Sequence, residues 1–458
     1  MFVDRITELN TLTRIYRQSH SCMVVVHGRR RRGKTSLLRE FVRNKPAVYY
    51  VASRENAEAN KAAFRRTVAD VAGSPLLRDA VIRRWEPLLA LPATLCLGRK
   101  PVLVLDEAEN LGLADPDFFS VLRYVWDTVL APANIMVILC GSDVRALREL
   151  TLSESSPLCG VVHAEMALDP IPFRKFGSFY PGTETHELLS LYSITGGIPL
   201  YARRFQPNMP LAAMIARHIL EPSSFLYSEP ESLLRSELAE EEFRDLLPVL
   251  AAAAAGPGDL KSIAARLRQP PGQTLAFLED LMEADLIQCL HPLRAESLAD
   301  SGSALYEVKD GFLRFWLRYI YPHRSVLEFG RSEMVLSQIM DDFHRGHLQP
   351  VYEEMCRQET RELGEAGIWP EMQQVSPLQD GGRISLAGLS EDAALFGSCR
   401  ISPQRADRHT LESLQEAADQ IPLPDPSMGR YYALFSSGGF SADLEALADS
   451  DPHILLSH

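Results

Sequence analysis

The sequence predicts an α/β protein whose first domain is built on a parallel sheet, and three observations predict it. Between residues 21 and 170, short β-branched runs alternate with longer amphipathic stretches, the signature of βαβ units. Several runs are nearly continuous apolar sequence, as expected for strands covered by helices on both faces. The first run feeds a loop bracketed by glycines, and a later one closes on two adjacent carboxylates.

In chain order, the expected strands of this domain, residues 1–170, are 23–27, 47–52, 102–105, 135–140 and 161–166. From about 171 to 330 the texture is helical, with leucine at helical spacing. A lid is expected over 171–235. Within 236–330, helices at 241–255, 259–267 and 273–284 are separated by Gly256-Pro257-Gly258 and Pro270-Pro271-Gly272. Apolar runs at 286–290 and 304–308 suit a hairpin, and three helices followed by a two-stranded wing describe a winged helix-turn-helix. The remainder, 331–458, opens with a helix and continues with strand-like pieces at 383–389, 394–399 and 431–435, so a third, α/β domain is expected.

Composition narrows the class. The chain has 458 residues, 47 basic and 60 acidic, for a net charge of −13, which argues against a whole-surface grip on nucleic acid. With 46% apolar and 23% charged residues it matches ordinary globular proteins and excludes gross disorder. No apolar run reaches the ~18 to 20 residues that span a bilayer, and the longest, 246–255, contains Pro248. Asp4, Arg5 and Glu8 occupy the place where a signal peptide needs apolar sequence, so a cytoplasmic protein with no membrane partner is expected. The seven cysteines form no CxxC pair and read as reduced, mostly buried thiols.

The chemistry concentrates in two places. Gly28-Arg29-Arg30-Arg31-Arg32-Gly33-Lys34-Thr35 matches GxxxxGK[ST], with a strand before it and a helix, 36–42, after it. Glycines let successive backbone N–H groups turn inward around a phosphate, and the helix N-terminus adds its partial positive charge. Gly28, Arg32, Gly33, Lys34, Thr35 and Ser36 are therefore expected to line a nucleotide, Lys34 reaching the outer phosphates and Thr35 holding Mg²⁺. The run 102–105 ends in Asp106 and Glu107, at the strand end where ligands bind; Asp106 suits the metal's water shell and Glu107 the attacking water. The bland alternative makes Glu107 and Glu109 the start of a solvated loop. Ser142, after the next strand, is expected to sense phosphate or water, against the alternative of a helix cap. Arg145 and Arg148 follow as candidate transition-state cations or as surface arginines. The arginine run 29–32 is read as solvated and ion-paired, because such loop positions contribute backbone.

These motifs, with Phe2-Val3-Asp4-Arg5 and Glu8-Leu9, ILCGS, ITGGIPLY, YEVKDGFLRFW, YEEMCR and ALFSSGGF, resemble the prokaryotic STAND-type P-loop ATPases often called the archaeal ATPase family. The resemblance covers nearly the whole chain. It implies an ATPase core, a winged-helix domain and a C-terminal domain similar to PD-(D/E)XK nucleases, that is, a restriction-endonuclease-like fold. It also implies that Gly197-Ile198-Pro199 closes the helical lid, with Pro199 at the nucleotide; a structural turn is the alternative.

Two departures shape the expectation. Where relatives commonly show SPLYGR, this chain has Ser156-Pro157-Leu158-Cys159-Gly160-Val161 and lacks the arginine, which points to slow hydrolysis. Where nuclease-like relatives place an aspartate, a glutamate and a lysine, it has Ser385, Ser398 and Arg400, leaving Glu353 alone. Neutral hydroxyls hold hard cations weakly, so this domain is expected not to cut DNA. The candidate recognition helix, 273–284, carries Glu279, Asp280 and Glu283 and no basic residue; only Gln273, Thr274, Lys261, Arg266 and Arg268 suit DNA. The expected protein binds ATP and Mg²⁺, hydrolyses ATP slowly and acts as a conformational switch. An ATP-regulated DNA-binding regulator and an ATP-controlled nuclease are the alternatives. An unknown protein partner, DNA through the winged helix and assembly as a homo-oligomer stay open.

Overall fold

The computed structural model describes residues 4–94, 99–206, 209–238, 240–256, 258–379 and 382–457. Phe2, Val3, Cys96 and Pro257 lie outside the described residues. The chain divides into two compact units, Met1–Ile171 with Ile198–Leu200, and Pro172–Gly197 with Tyr201–His458.

The first unit is a parallel sheet. Its strands are β1 (Cys22–His27), β2 (Ala47–Val51), β3 (Val102–Asp106), β4 (Met136–Gly141) and β5 (Ala164–Ala167), in the order β2-β3-β4-β1-β5. Every residue of β1, β3 and β4 is buried, because helices cover both faces. The period of two along a strand sorts the side chains. Met23, Val25, Leu103, Leu105, Val137 and Leu139 face a core closed by Phe64, Val68, Leu88, Leu89 and Phe118. Val24, Val26, Val104 and Ile138 face the other way, against Leu12 and Ile15 of α1 (Ile6–Tyr16) and Leu37, Leu38 and Phe41 of α2 (Lys34–Val42). Each such side chain contributes roughly 1.5 to 3 kcal/mol on burial.

The topology positions the site. β4 lies between β1 and β3, so the strand that feeds the phosphate loop and the strand that ends in carboxylates are two spacings apart, roughly 10 Å. That gap is crossed by side chains and closed from below by the end of β4. The last strand differs from the expected 161–166: it starts at Ala164, because Val161 and Val162 pack against the core from a turn that Leu158 anchors.

In the second unit, helices Glu240–Ala254, Leu260–Leu267 and Pro271–Glu283 occur in the expected order. Strands β6 (Gly258–Asp259), β7 (Ile287–Leu290) and β10 (Leu305–Val308) form an antiparallel sheet with β10 in the middle. Between β7 and β10 the chain makes a further hairpin of β8 (Leu293–Arg294) and β9 (Ser297–Ser301) that the sequence reading did not foresee. This hairpin joins β11 (Gln374–Gln379), β12 (Leu386–Leu389), β13 (Ala393–Arg400), β14 (Gly429–Ser436) and β15 (Ile454–Ser457) in a seven-stranded mixed sheet, β15-β14-β13-β12-β11-β8-β9. Phe396, Leu411, Leu414 and Leu434 fill its core. The division expected at 170/171 falls beside the unit boundary, whereas those at 235/236 and 330/331 fall inside the second unit, and the pairing of β8 with β11 crosses the latter. β12 starts three residues later than the expected 383, because the Ser385 hydroxyl, rather than a ladder carbonyl, accepts the Cys399 N–H. No described helix is long and apolar enough to cross a membrane.

Candidate functional site

The loop after β1 has the backbone that its glycines permit. Gly28 has φ of 149°, and a Cβ there would lie 2.6 Å from the Leu168 carbonyl oxygen. Gly33 has φ of 93° and caps α2, which starts at Lys34 rather than at the expected 36. The Lys34 ammonium donates to the carbonyls of Gly28 (2.5 Å) and Arg29 (3.1 Å), so it occupies the centre of the loop. Burial lowers its pKa from the ordinary lysine value, while Cys140, Glu107, Asp106 and Glu109 oppose that shift. Ser36 is exposed on the first turn of α2. Arg32 sends its side chain 3.3 Å from Asp169, leaving its backbone to the loop. Pro199 packs beside Gly33, its ring 3.9 Å from the position of a Cβ.

Arg5 braces this loop from behind. Its guanidinium donates to the carbonyls of Arg32 (3.1 Å) and Asp169 (2.5 Å) and to Glu8 (2.8 Å), although only 5% of the residue is exposed. In the sequence Arg5 stands in the Phe2-Val3-Asp4-Arg5 motif with nothing local to mark this role.

Across the gap, the Thr35 hydroxyl donates to Asp106 Oδ2 at 2.9 Å. The Tyr49 hydroxyl, from β2, donates to the same oxygen at 2.7 Å, and Asp106 Oδ1 accepts the Glu107 N–H at 3.1 Å. Burial first, then the Asp106 carboxylate, push the Tyr49 phenol up, so it remains a donor. A hydroxyl beside a carboxylate fits a hard divalent cation. Glu107 has φ of 54°, a left-handed conformation that costs a non-glycine residue of order 1 kcal/mol or more. That turn sends its carboxylate to the Ser142 hydroxyl, which donates to Oε2 at 2.6 Å.

Glu109 is buried, which the solvated-loop alternative did not foresee. Its Oε1 accepts the N–H groups of Ser142 (2.9 Å) and Asp143 (3.0 Å), and Oε2 has no hydrogen-bond partner. Burial raises its carboxyl pKa, with Glu107 adding to the shift and the Asp143 and Ser142 amides opposing it. The carboxylate fits only because residue 141 is glycine: a Cβ there would lie 2.1 Å from Oε2.

The arginine run departs from the solvated reading: Arg29 is 5% exposed and Arg30 turns toward Ser142 and Glu107, while Arg31 is exposed. Arg31 has φ of 70°, so the backbone turns within the run and its neighbours do not share one environment. Arg148 is ion-paired with Glu165 at 3.1 Å on the surface. Tyr49, Glu109 and Arg5 are thus the residues that the sequence reading missed. In the second unit, Glu353 is linked through Gln349 to the Cys399 carbonyl (2.9 and 3.0 Å), with Ser385 beside it on the Cys399 amide at 3.2 Å; burial raises the Glu353 carboxyl. Arg400 bonds Thr410 instead, at 2.8 Å. Among the described residues no group of three or more His, Cys, Asp or Glu side chains could hold a metal ion.

A parallel α/β sheet with this loop and these carboxylates defines the class of Walker-type nucleotide-binding domains. Residues 2–205 match the family described as an ATPase domain predominantly from Archaea. Residues 316–410 match a family described as archaeal and bacterial proteins of unknown function. An uncharacterized protein of Methanocaldococcus jannaschii is 28% identical over 81% of this chain and 80% of its own length. An uncharacterized ATP-binding protein of the same organism is 42% identical over 45 residues, 10% of this chain and 76% of its own. Among solved structures, the Walker-type ATPase of Pyrococcus abyssi aligns with a TM-score of 0.51 at 20% identity, over 69% of this chain and 96% of that one, and shows the shared fold.

Proposed function

We propose that this protein binds ATP with Mg²⁺, hydrolyses it slowly and uses the nucleotide as a conformational switch. The observation that carries the reading is the meeting of three pairs in one crevice: Lys34 within the loop, Thr35 with Asp106, and Ser142 with Glu107. Loop amides, with those of Gly33, Lys34, Thr35 and Ser36 at the start of α2, bind phosphate oxygens, and Lys34 neutralises their charge. Thr35 and Asp106 would hold Mg²⁺, which when bound supplies charge stabilisation at the outer phosphates. Glu107, kept in place by Ser142, orients a water molecule and takes its proton. Tyr49 fixes the Asp106 carboxylate, and Glu109 fixes the turn that presents Ser142.

The switch reading rests on Pro199. Ile198–Leu200 belongs to the first unit while the residues on either side of it belong to the second, and Pro199 packs beside Gly33 of the phosphate loop. A change in the loop on nucleotide binding therefore acts on a segment continuous with the second unit. In that unit, the three helices and β7–β10 have the order of a winged helix-turn-helix, but Pro271–Glu283 carries Glu279, Asp280 and Glu283, and β8 and β9 are paired into the larger sheet. We therefore hold DNA to be neither the ligand nor the trigger, and the sheet that the resemblance likens to a nuclease to be inactive, since that resemblance puts Ser385, Ser398 and Arg400 where nuclease-like relatives have carboxylates and a lysine.

The test is calorimetry and turnover with ATP and GTP in Mg²⁺, with and without duplex DNA, and with particle size measured in each nucleotide state. Mg·ATP binding with slow turnover, unaffected by DNA, and plasmid left intact in Mg²⁺ or Mn²⁺ are expected. A flat calorimetric trace overturns the reading. A salt-dependent gel shift supports the DNA-regulator alternative instead.

A further inference from the structure

Hydrolysis of a triphosphate is accelerated by a cation at the terminal phosphoryl group besides Lys34 and the metal, because charge spreads over its outer oxygens as the bond breaks. The sequence offers many arginines for this task. Arg148 is held by Glu165 at 3.1 Å, outside the crevice. Val161 stands where the resemblance leads one to expect an arginine.

Arg30, the third residue of the phosphate loop, takes a different course from its exposed neighbour Arg31. Its Nε donates to the Ser142 hydroxyl at 3.4 Å, and its terminal nitrogen lies 3.9 Å from Glu107 Oε2. Its side chain is 29% exposed, so most of the guanidinium stem is covered while its head faces the carboxylate. The Ser142 oxygen thus accepts from Arg30 and donates to Glu107 at 2.6 Å, in a chain of three groups that converge from the loop, β3 and β4. Any water that Glu107 orients toward a phosphoryl group lies next to this guanidinium.

The geometry points to Arg30 as the catalytic cation of ATP hydrolysis, supplied by the phosphate loop itself. This rests on the ATP reading above. In the step, the water oxygen forms a new bond to the γ-phosphorus, and the bond from that phosphorus to the bridging oxygen breaks with its electron pair leaving on ADP. The water's proton passes to Glu107. Arg30 contacts the outer γ-oxygens as they gain charge, releasing Glu107 from its weak ion pair at the same time. A planar guanidinium suits this task better than an ammonium, because it donates to two oxygens at once.

The experiment compares the full-length chain with Arg30→Ala and Arg30→Lys, and with Lys34→Ala as the control for nucleotide binding. Measured are kcat and KM for Mg·ATP, affinity for Mg·ADP, and the tightening of Mg·ADP binding when aluminium fluoride, a mimic of the transferring phosphoryl group, is added. For Arg30→Ala we expect kcat to fall on the order of 100-fold. Mg·ADP affinity should stay within about threefold of the parent, and the aluminium fluoride effect should be lost. Arg30→Lys should recover part of both. Turnover by Arg30→Ala at or above the parent rate, or an intact aluminium fluoride effect, overturns the assignment while leaving the ATP reading in place. Failure of the parent chain to bind Mg·ATP, with Lys34→Ala indistinguishable from it, overturns both.

Discussion

Asp106 accepts three hydrogen bonds, from Thr35, Tyr49 and the Glu107 amide, and this convergence fixes where charge sits in the crevice. Removing single groups around it separates binding from chemistry. Lys34→Ala should abolish nucleotide binding in calorimetry, whereas Glu107→Gln should keep binding and slow turnover by roughly 100-fold to 10,000-fold, trapping ATP. A Glu107→Gln chain that hydrolyses at the parent rate means that another group takes the proton. Arg5→Ala removes a charged donor from two backbone carbonyls, a loss of roughly 1.5 to 3 kcal/mol, and should weaken Mg·ATP binding about tenfold without touching the nucleotide. The loop around Lys34 and Thr35 and the Asp106–Glu107 pair, which the structure brings to one crevice, stand out in the sequence because GxxxxGK[ST] after a strand and two acids at a strand end are local patterns. Tyr49 and Glu109 do not. Tyr49 belongs to a strand that reads only as a continuous apolar run, and its reach to Asp106 depends on which strand neighbours β3. Glu109, two residues past Glu107, looks like a solvated acid until Gly141 is known to stand beside it.

At the scale of elements, the end of β4 carries the most constraint. Gly141 has no room for a methyl group against Glu109, and Glu109 holds the amides that present Ser142. Gly141→Ala should therefore lower stability by roughly 1 to 3 kcal/mol, seen as a lower melting temperature, and reduce turnover more than binding. The sequence marked β4 as a strand but not its place between β1 and β3, since strand order is set by crossovers that local pattern does not encode. A second element-scale constraint is His347, fully buried among Phe315, Tyr319 and Phe343, with Nε2 2.8 Å from the Ser193 carbonyl. Burial pushes its pKa from 6.5 down to about 3. A base held neutral in the folded chain binds its proton first in the unfolded chain. Its stabilisation is complete above about pH 6.5 and is lost as pH falls toward 3, by up to about 1.4 kcal/mol per pH unit. His347→Gln keeps a donor for Ser193 without titrating, so urea unfolding of this variant should show a flatter dependence between those pH values.

For the whole molecule, the first unit followed from the sequence and the second only in part. The alternation of apolar runs over 21–170 carries the parallel sheet, while β8 escaped because it is two residues long and its partner β11 lies far along the chain, and β9 and β11, Ser297–Ser301 and Gln374–Gln379, escaped because they are largely polar. The expected border at 330/331 overlooked the same pairing. A fragment that starts at residue 331 lacks β8 and β9 and leaves β11 as an open edge, so it should self-associate in sedimentation, whereas one that starts at residue 172 should stay dispersed.

Leu293 of β8 is registered with Leu378 of β11, roughly 85 residues further along. A ribosome adding about 5 to 20 residues per second delivers the hairpin some 4 to 17 s before its mate. Through that interval the edge of β8 turned away from β9 has only water or a stranger to bond, so the nascent chain is most vulnerable to clumping at this stage, and slowing translation over that stretch should lower the yield of folded protein.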